Sequence, residues 1–406
     1  VGDRAALRDA LAAGGLPRPA RALFAILSRL RHGRLEIVAP GGQSFTFPGA
    51  VPGPDALLAL EDWDVCAAIL RRGDIGLAET FLAGRWTTPD LTALLSVAAL
   101  NDGVLERANR SRLWSAVLRR LHRLCGVRAR AASRRNVHAR HDLGNDFYLR
   151  WLDATMTYSS AWFAGDFSRS LEDAQLQKYE RILRLLDPRP GSRVLDVGCG
   201  WGGFAEYAAR TRGCNVHGVT VSRRQLEFAR ARIRDAGLSE RVAFELRDYR
   251  EVQGNYDHVV SIEMYETLGE RHWPAYFRIL RERLKPGGRA VVQAITIADE
   301  RFARYRSSTD FIRQFILPVA LLASPSRFRA LAEGAGLTVH SSHAFGMDYA
   351  ETLRRWNRRF TQAWPQMRAQ GLDERFLRLW SFYLSHCEAG FRSRSTDVLQ
   401  VEMGLA

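Results

Sequence analysis

Val194-Leu195-Asp196-Val197-Gly198-Cys199-Gly200-Trp201-Gly202-Gly203 is the stretch on which the fold turns. A short apolar, β-branched run ends in four glycines within six residues, which reads as a strand, a tight turn and the opening of a helix. Glycine is costly in chain entropy, so this density marks a backbone that must turn sharply and let a ligand come close. Around the turn the pattern alternates. Strands are expected at 193–197, 215–221, 242–246, 256–262 and 289–295. Helices are expected from about 202, at 223–236 and at 273–284, with Lys285-Pro286-Gly287-Gly288 as a turn. Two further strand-like runs, 337–344 and 398–403, can close the sheet edge, and a helical insert rich in aromatics lies between them. This order predicts an α/β fold: an open, mostly parallel sheet with helices on both faces.

Gly198, Gly200 and Gly203 also satisfy G-x-G-x-x-G, so a dinucleotide site has to be weighed. That reading needs an Asp or Glu about 20 residues on, at the end of the second strand. The chain has His217-Gly218-Val219-Thr220-Val221-Ser222 there, with no acid, which argues against a nicotinamide cofactor.

Upstream, the organisation changes. Residues 1–105 read as a small α+β accessory domain, with a hairpin over 34–47 around Pro40-Gly41-Gly42 and helical patterns at 55–60, 64–71 and 77–83. Residues 106–136 read as a basic helical connector carrying Leu113, Val117, Leu121 and Leu124 at helical spacing. The main domain then runs over 137–406. With 406 residues, 46% apolar and 25% charged, the chain is neither disordered nor fibrous. Its net charge of +15 is uneven: eleven arginines and no acid fall between Arg107 and His141, a block that attracts polyanions such as anionic head groups. Five scattered cysteines without a C-x-x-C pair argue against disulfides and zinc and fit a reducing cytoplasm. No apolar run reaches the roughly 18–20 residues of a membrane span, and no secretory pattern is visible, so membrane contact is expected to be peripheral.

The match extends beyond the glycine turn. Asp196 resembles the first-strand acid of class I (Rossmann-like) methyltransferases. Asp248-Tyr249-Arg250 follows the third strand, where that class holds adenine, and the Lys-Pro-Gly-Gly turn precedes the fifth. His141-Asp142-Leu143-Gly144-Asn145-Asp146-Phe147-Tyr148, then Met156-Thr157-Tyr158-Ser159-Ser160, resemble the cyclopropane fatty-acid synthase family. So do Val219-Thr220-Val221-Ser222 with Gln225, Asp348-Tyr349, and the run from Tyr383 through Cys387 to Arg392. Gly73-Asp74-Ile75-Gly76 and Trp86 resemble that family's accessory domain, associated with lipid.

The resemblance implies S-adenosylmethionine as methyl donor and a cis double bond of an unsaturated fatty acyl phospholipid as acceptor. It implies a cytoplasmic enzyme held peripherally at the anionic inner face of the membrane, able to form homodimers and acting on no nucleic acid. Carried over by residue, Tyr158, Ser159, Gly198, Cys199, Gly200, Gly202, Thr220, Ser222 and Gln225 would line the cofactor with Asp196, and Asp248, Tyr249 and Arg250 would border adenine. Asp310 through Leu322 resembles the acyl-lining segment of the helical insertions, with Val319-Ala320 where two glycines are usual. The same resemblance makes bicarbonate the base, held by a cluster matching Glu266, Tyr349 and Ile295, with Ser160 where Cys is common and Gln293 where His is common. Cys387 matches a cysteine once assigned as a nucleophile, although methyl transfer to an alkene needs none.

An alkene is a weak nucleophile, so donor and π bond must be held in line. The carbocation formed must be kept from water, and a base must then remove a proton. Loss from the new methyl closes a cyclopropane; loss from a neighbouring carbon leaves a methyl- or methylene-branched chain. A lipid-binding protein without catalysis is the rival on this fold. A nucleic-acid methyltransferase would show N-P-P-Y after the fourth strand, where this chain has Glu263-Met264-Tyr265-Glu266.

Overall fold

The computed structural model describes residues 15–104 and 143–406. The expected connector at 106–136, and His141 and Asp142, lie outside the described residues. The chain forms two compact units. One comprises 15–104, 309–318 and 364–393; the other comprises 143–308, 319–363 and 394–406. The continuous main domain expected from 137 is therefore interrupted, because two stretches of the C-terminal half pack with the N-terminal residues.

The N-terminal unit holds a four-stranded sheet of β1 (His32–Val38), β2 (Ser44–Pro48), β3 (Val51–Leu60) and β4 (Trp86–Thr87), in the order β2-β1-β3-β4. β1 and β2 form the hairpin, with Arg34 opposite Pro48 and Val38 opposite Ser44. The stretch 55–60, expected to be helical, is strand. Ala56, Leu58 and Leu60 alternate into the core, and β1 supplies a parallel partner, so tertiary pairing overrides a six-residue periodicity. Phe24, on the helix Arg18–Leu27, packs on Phe45 and Phe47 at 4.9 and 5.1 Å. From the C-terminal half, Phe311 donates its amide to Asp74 (2.9 Å) and packs near Phe382 at 4.6 Å, while Thr92 bonds Glu388.

The second unit is a seven-stranded sheet of β5 (Arg193–Val197), β6 (Asn215–Thr220), β7 (Val242–Leu246), β8 (Tyr256–Ile262), β9 (Leu284–Ile297), β10 (Leu337–Ala344) and β11 (Thr396–Leu405). The order is β10-β11-β9-β8-β5-β6-β7. β5 to β9 run parallel, and β11 is antiparallel to both neighbours. The strand order reverses at β5 and β8, so the switch-point crevice opens at their carboxyl ends. Parallel strands buried on both faces explain near-continuous runs such as Val194–Val197. The expected turn at Lys285–Gly288 is instead absorbed into β9. The register slips between Tyr256 and His258, and Gly287 at φ 75° takes up the bulge. Among the described residues no helix is long and apolar enough to cross a membrane.

Candidate active site

The glycine turn forms the floor of the crevice. Gly198, Gly200 and Gly202 have φ values of 79°, 53° and 81°, a region that costs an L-residue about 1–2 kcal/mol. The amides of Gly198 and Cys199 both reach the Val219 carbonyl at 3.0 Å, tying the turn to β6. A Cβ on Gly198 would lie 2.9 Å from Met264 Cγ, and one on Gly202 2.8 Å from Phe244; one on Gly200 would meet nothing within 4 Å. The turn is thus packed hard at two glycines and open at the third. Asp196, at the end of β5, is 2% exposed, and its Oδ2 has no hydrogen-bond partner. Burial pushes its carboxyl up to about 7. An orphaned buried carboxylate beside an open glycine fits a ligand that brings its own donors.

The other expected cofactor residues surround this floor. Thr220 Oγ1 donates to Gln225 Oε1 at 2.8 Å, and Ser222 caps the helix Arg223–Asp235. Asp248 caps a short 3-10 turn and holds the Arg250 guanidinium through bonds of 2.8 and 2.6 Å, which keep its carboxyl below the usual range. Arg250 is thus spent on Asp248. Tyr249 is buried against Tyr276. Tyr158 sits among Tyr148, Trp151 and Trp356, with ring centroids 5.5, 5.6 and 5.3 Å away. Ser159 Oγ accepts from Lys178 Nζ at 2.6 Å. Lys178 is fully buried, and desolvation pulls its ammonium down to about 7 against the attraction of Glu263 and Asp153. Cys199 is buried packing in the turn.

Beside this floor lies a carboxylate cluster that sequence reading recovered only in part. Met264, whose side chain abuts Gly198, stands between two glutamates that follow β8. Glu266 is 5% exposed; Oε1 accepts from the Ile295 amide, and Oε2 has no partner. Burial, then the charge of Glu263, push its carboxyl up to about 8. Glu263 occupies the centre. Its Oε1 accepts from the Ser160 amide (2.8 Å) and Gln293 Nε2 (2.7 Å), and its Oε2 accepts from the Tyr349 hydroxyl (2.6 Å). The Ser160 hydroxyl, expected to serve an anion, turns instead to the Ala161 carbonyl. Gln293 is fixed in turn: its Oε1 accepts from Gln400 Nε2 (2.9 Å), and Gln400 Oε1 accepts from Arg181 (2.7 Å). Because guanidinium only donates, this chain of bonds sets both amide orientations. Glu263 has φ 51°, a left-handed backbone that glycine would adopt freely.

Ser160, Gln293, Ile295, Tyr349 and Glu266 are therefore brought together within one unit, and Cys387 belongs to the other. It lies on the helix Glu374–Arg392 in the N-terminal unit, where desolvation, with the Asp310 charge adding, pushes its thiol up to about 12. A neutral thiol is a poor nucleophile. The aromatics of the helical insert also divide: Trp356 and Phe360 belong to the second unit, Trp364, Trp380, Phe382 and Tyr383 to the first. The acyl-lining stretch splits likewise after Pro318. Sequence reading missed Glu263, Lys178 and Gln400. The available signal for Glu263 was a second acid, three residues before Glu266, at the carboxyl end of a central strand.

The parallel sheet with one antiparallel strand near its edge, the glycine turn at the switch point and the acid-bearing strand ends define the class I methyltransferases. The family profile described as mycolic acid cyclopropane synthetase matches residues 128–401, and the chain belongs to that family. It is an S-adenosylmethionine-dependent methyltransferase. It is 38% identical over 338 residues to the tuberculostearic acid methyltransferase UfaA1 of Mycobacterium tuberculosis, covering 81% of this chain and 78% of the relative. It is 33% identical over 340 residues to the cyclopropane-fatty-acyl-phospholipid synthase of Escherichia coli strain K12, covering 83% and 85%. The crystal structure of mycolic acid cyclopropane synthase CmaA1 complexed with SAH and CTAB superposes with a TM-score of 0.62 at 29% identity, over 66% of this chain and 96% of that one.

Proposed function

We propose that the protein methylates the cis double bond of an unsaturated fatty acyl chain carried by a phospholipid, giving a product one CH2 heavier. The observation that carries this reading is the carboxylate pair Glu263 and Glu266, set against the glycine turn through Met264. Alkene methylation needs an anion near the cation it creates and an acceptor for the proton it releases. When bound, S-adenosylmethionine supplies a methyl group on a sulfonium. Gly198, Gly200, Gly202 and Asp196 would hold its methionine end, Thr220, Ser222 and Gln225 the ribose side, and Asp248 and Tyr249 the adenine. Tyr158, within its aromatic box, presents π-faces that tolerate positive charge and exclude water. Loss of the proton from the new methyl, with its electron pair closing onto the cationic carbon, gives a cyclopropane.

A second product has its own support. Where the family pattern commonly has Cys and His, the chain has Ser160 and Gln293, and their amide groups are engaged with Glu263. A hydride shift before deprotonation would leave a methylene branch of the same mass. At the membrane, the arginine-rich stretch 107–140 supplies the attraction to anionic lipid. Mass spectrometry of lipids from a host expressing the chain tests all of this. A CH2 gain that survives mild hydrogenation is the ring, and one that takes up hydrogen is the methylene branch. Absence of any CH2 gain would overturn the reading.

A further inference from the structure

We propose that the Glu263 carboxylate is the built-in base of this enzyme and takes the place that the family resemblance gives to bicarbonate. The inference rests on the acyl-methylation reading above. A carboxylate matches bicarbonate where it matters: two oxygens in one plane sharing one negative charge. The residues expected to cradle bicarbonate were Ser160, Gln293, Tyr349, Ile295 and Glu266. Three of them give their donors to Glu263, at 2.8, 2.7 and 2.6 Å, and the Ile295 amide is taken by Glu266. The donors of these residues are thus already taken within the protein itself, the Ser160 hydroxyl by the Ala161 carbonyl. Seating a second anion there would mean displacing Glu263 and crowding the newcomer beside two carboxyl groups, with the buried Lys178 as the cation that offsets Glu263.

The arrangement also leaves the base usable. A carboxylate offers about four lone-pair directions. Among the described residues Glu263 spends three, two on Oε1 and one on Oε2. The fourth, on Oε2, is open to a proton. As a residue Glu263 is only partly buried, whereas Glu266 is buried. Its left-handed backbone is held by its own amide donating to the Gln293 carbonyl at 2.8 Å, and such conformations persist where surrounding structure over-determines them. In the step itself, a C–H bond of the transferred methyl breaks and its electron pair neutralises the chain cation as a ring C–C bond or, after the hydride shift, a methylene π bond. The proton goes to Glu263 Oε2. No external co-reactant is consumed.

The test uses the full chain with vesicles of unsaturated phospholipid. In buffer stripped of carbon dioxide, turnover should equal that with millimolar bicarbonate added. A several-fold rise on adding bicarbonate would overturn the inference. Glu263→Gly opens the cradle and relaxes the backbone; turnover should fall about 10²-fold or more and recover at least tenfold with added bicarbonate. A purely structural glutamate would show no such rescue. Glu263→Gln, isosteric and without basicity, should lose turnover without losing cofactor affinity, and full activity there would also overturn the inference. Should the variants fail to fold, the bicarbonate titration of the unaltered enzyme still decides. If that enzyme makes no heavier acyl product at all, the functional reading itself has failed and this inference goes with it.

Discussion

Asp196→Asn should make the ligand-free protein more stable while weakening its grip on the cofactor. Asp196 is 2% exposed, with one oxygen unpartnered, and its carboxyl is pushed by burial from the ordinary 3.8 to about 7. A carboxyl whose folded value lies above its unfolded value binds more protons in the native state. Its contribution to stability is therefore intact below about 4 and is lost as pH rises towards 7. The difference of roughly three units corresponds to on the order of 4 kcal/mol once the group is ionised. Asparagine keeps the shape and cannot ionise. Its advantage over the native residue should grow by roughly 2–3 kcal/mol between pH 5 and pH 8, visible as a melting-temperature gain of roughly 5 °C or more at the upper end.

The assay is a pair of thermal melts across that pH range, with and without S-adenosylmethionine. The native protein should gain stability from the ligand, since only the folded state binds it. The variant should gain much less, because the acceptor that fits the ligand's donors has lost its charge. If the Asp196→Asn variant melts no higher than the native protein at pH 8 without ligand, Asp196 is not held at a cost for binding. Full retention of the ligand shift would refute the binding role alone.

Glu266→Gln keeps an acceptor for the Ile295 amide but cannot exchange a proton. Cofactor affinity measured by calorimetry should hold within about twofold while turnover falls about 10²-fold, and unchanged turnover would reduce Glu266 to scaffold. Gly198→Ala places a Cβ 2.9 Å from Met264 Cγ at a φ of 79°. It should cost about 1–2 kcal/mol or more and abolish measurable cofactor binding; a native-like melt with native affinity would show the turn to be looser than its contacts imply. Binding to anionic vesicles should weaken steeply between low salt and roughly 0.5 M salt, the range over which screening removes surface attraction. Salt-independent binding would show that the arginines of 107–140 do not make the contact.

How legible all this was in the sequence depends on how local the information is. β5 to β8 and the helices between them follow from short apolar runs bounded by glycine or caps such as Ser222, and these patterns survive without tertiary context. Val51–Leu60 does not: its last six residues fit a helix or a strand, and the partners β1 and β4 decide. The Lys285–Gly288 turn failed for a related reason, since Gly287 serves a bulge as well as a bend. The active site divides along the same line. Residues that touch the glycine turn are marked by motif, because the motif is the site. Glu263 belongs to no motif, and its neighbours come from four separated parts of the chain: Ser160, Lys178, Gln293 and Tyr349.

The departures Ser160 and Gln293, read alone, look like a weakened anion site. With Glu263 in place they read as one coordinated change. A backbone amide needs no particular side chain at 160, so serine can turn its hydroxyl to Ala161 without loss. A glutamine at 293 can hold Glu263 with its NH2 while its carbonyl is pinned by Gln400 and, through it, by Arg181. A histidine there, donating from one nitrogen, would be open to changing its tautomer and charge near neutrality; the amide is not, so the donor it offers Glu263 is the same at every pH. Burial works against the charge on Glu263 and raises its carboxyl above the ordinary range, while the Tyr349 hydroxyl, Lys178, the Ser160 amide and Gln293 work for the charge. The balance bears on Glu266, whose carboxyl is raised chiefly by burial and then by Glu263. The donors that favour charge fall on Glu263, which has three, while Glu266 has the Ile295 amide. Taking up the proton from the acyl chain neutralises Glu263, and its release resets the site.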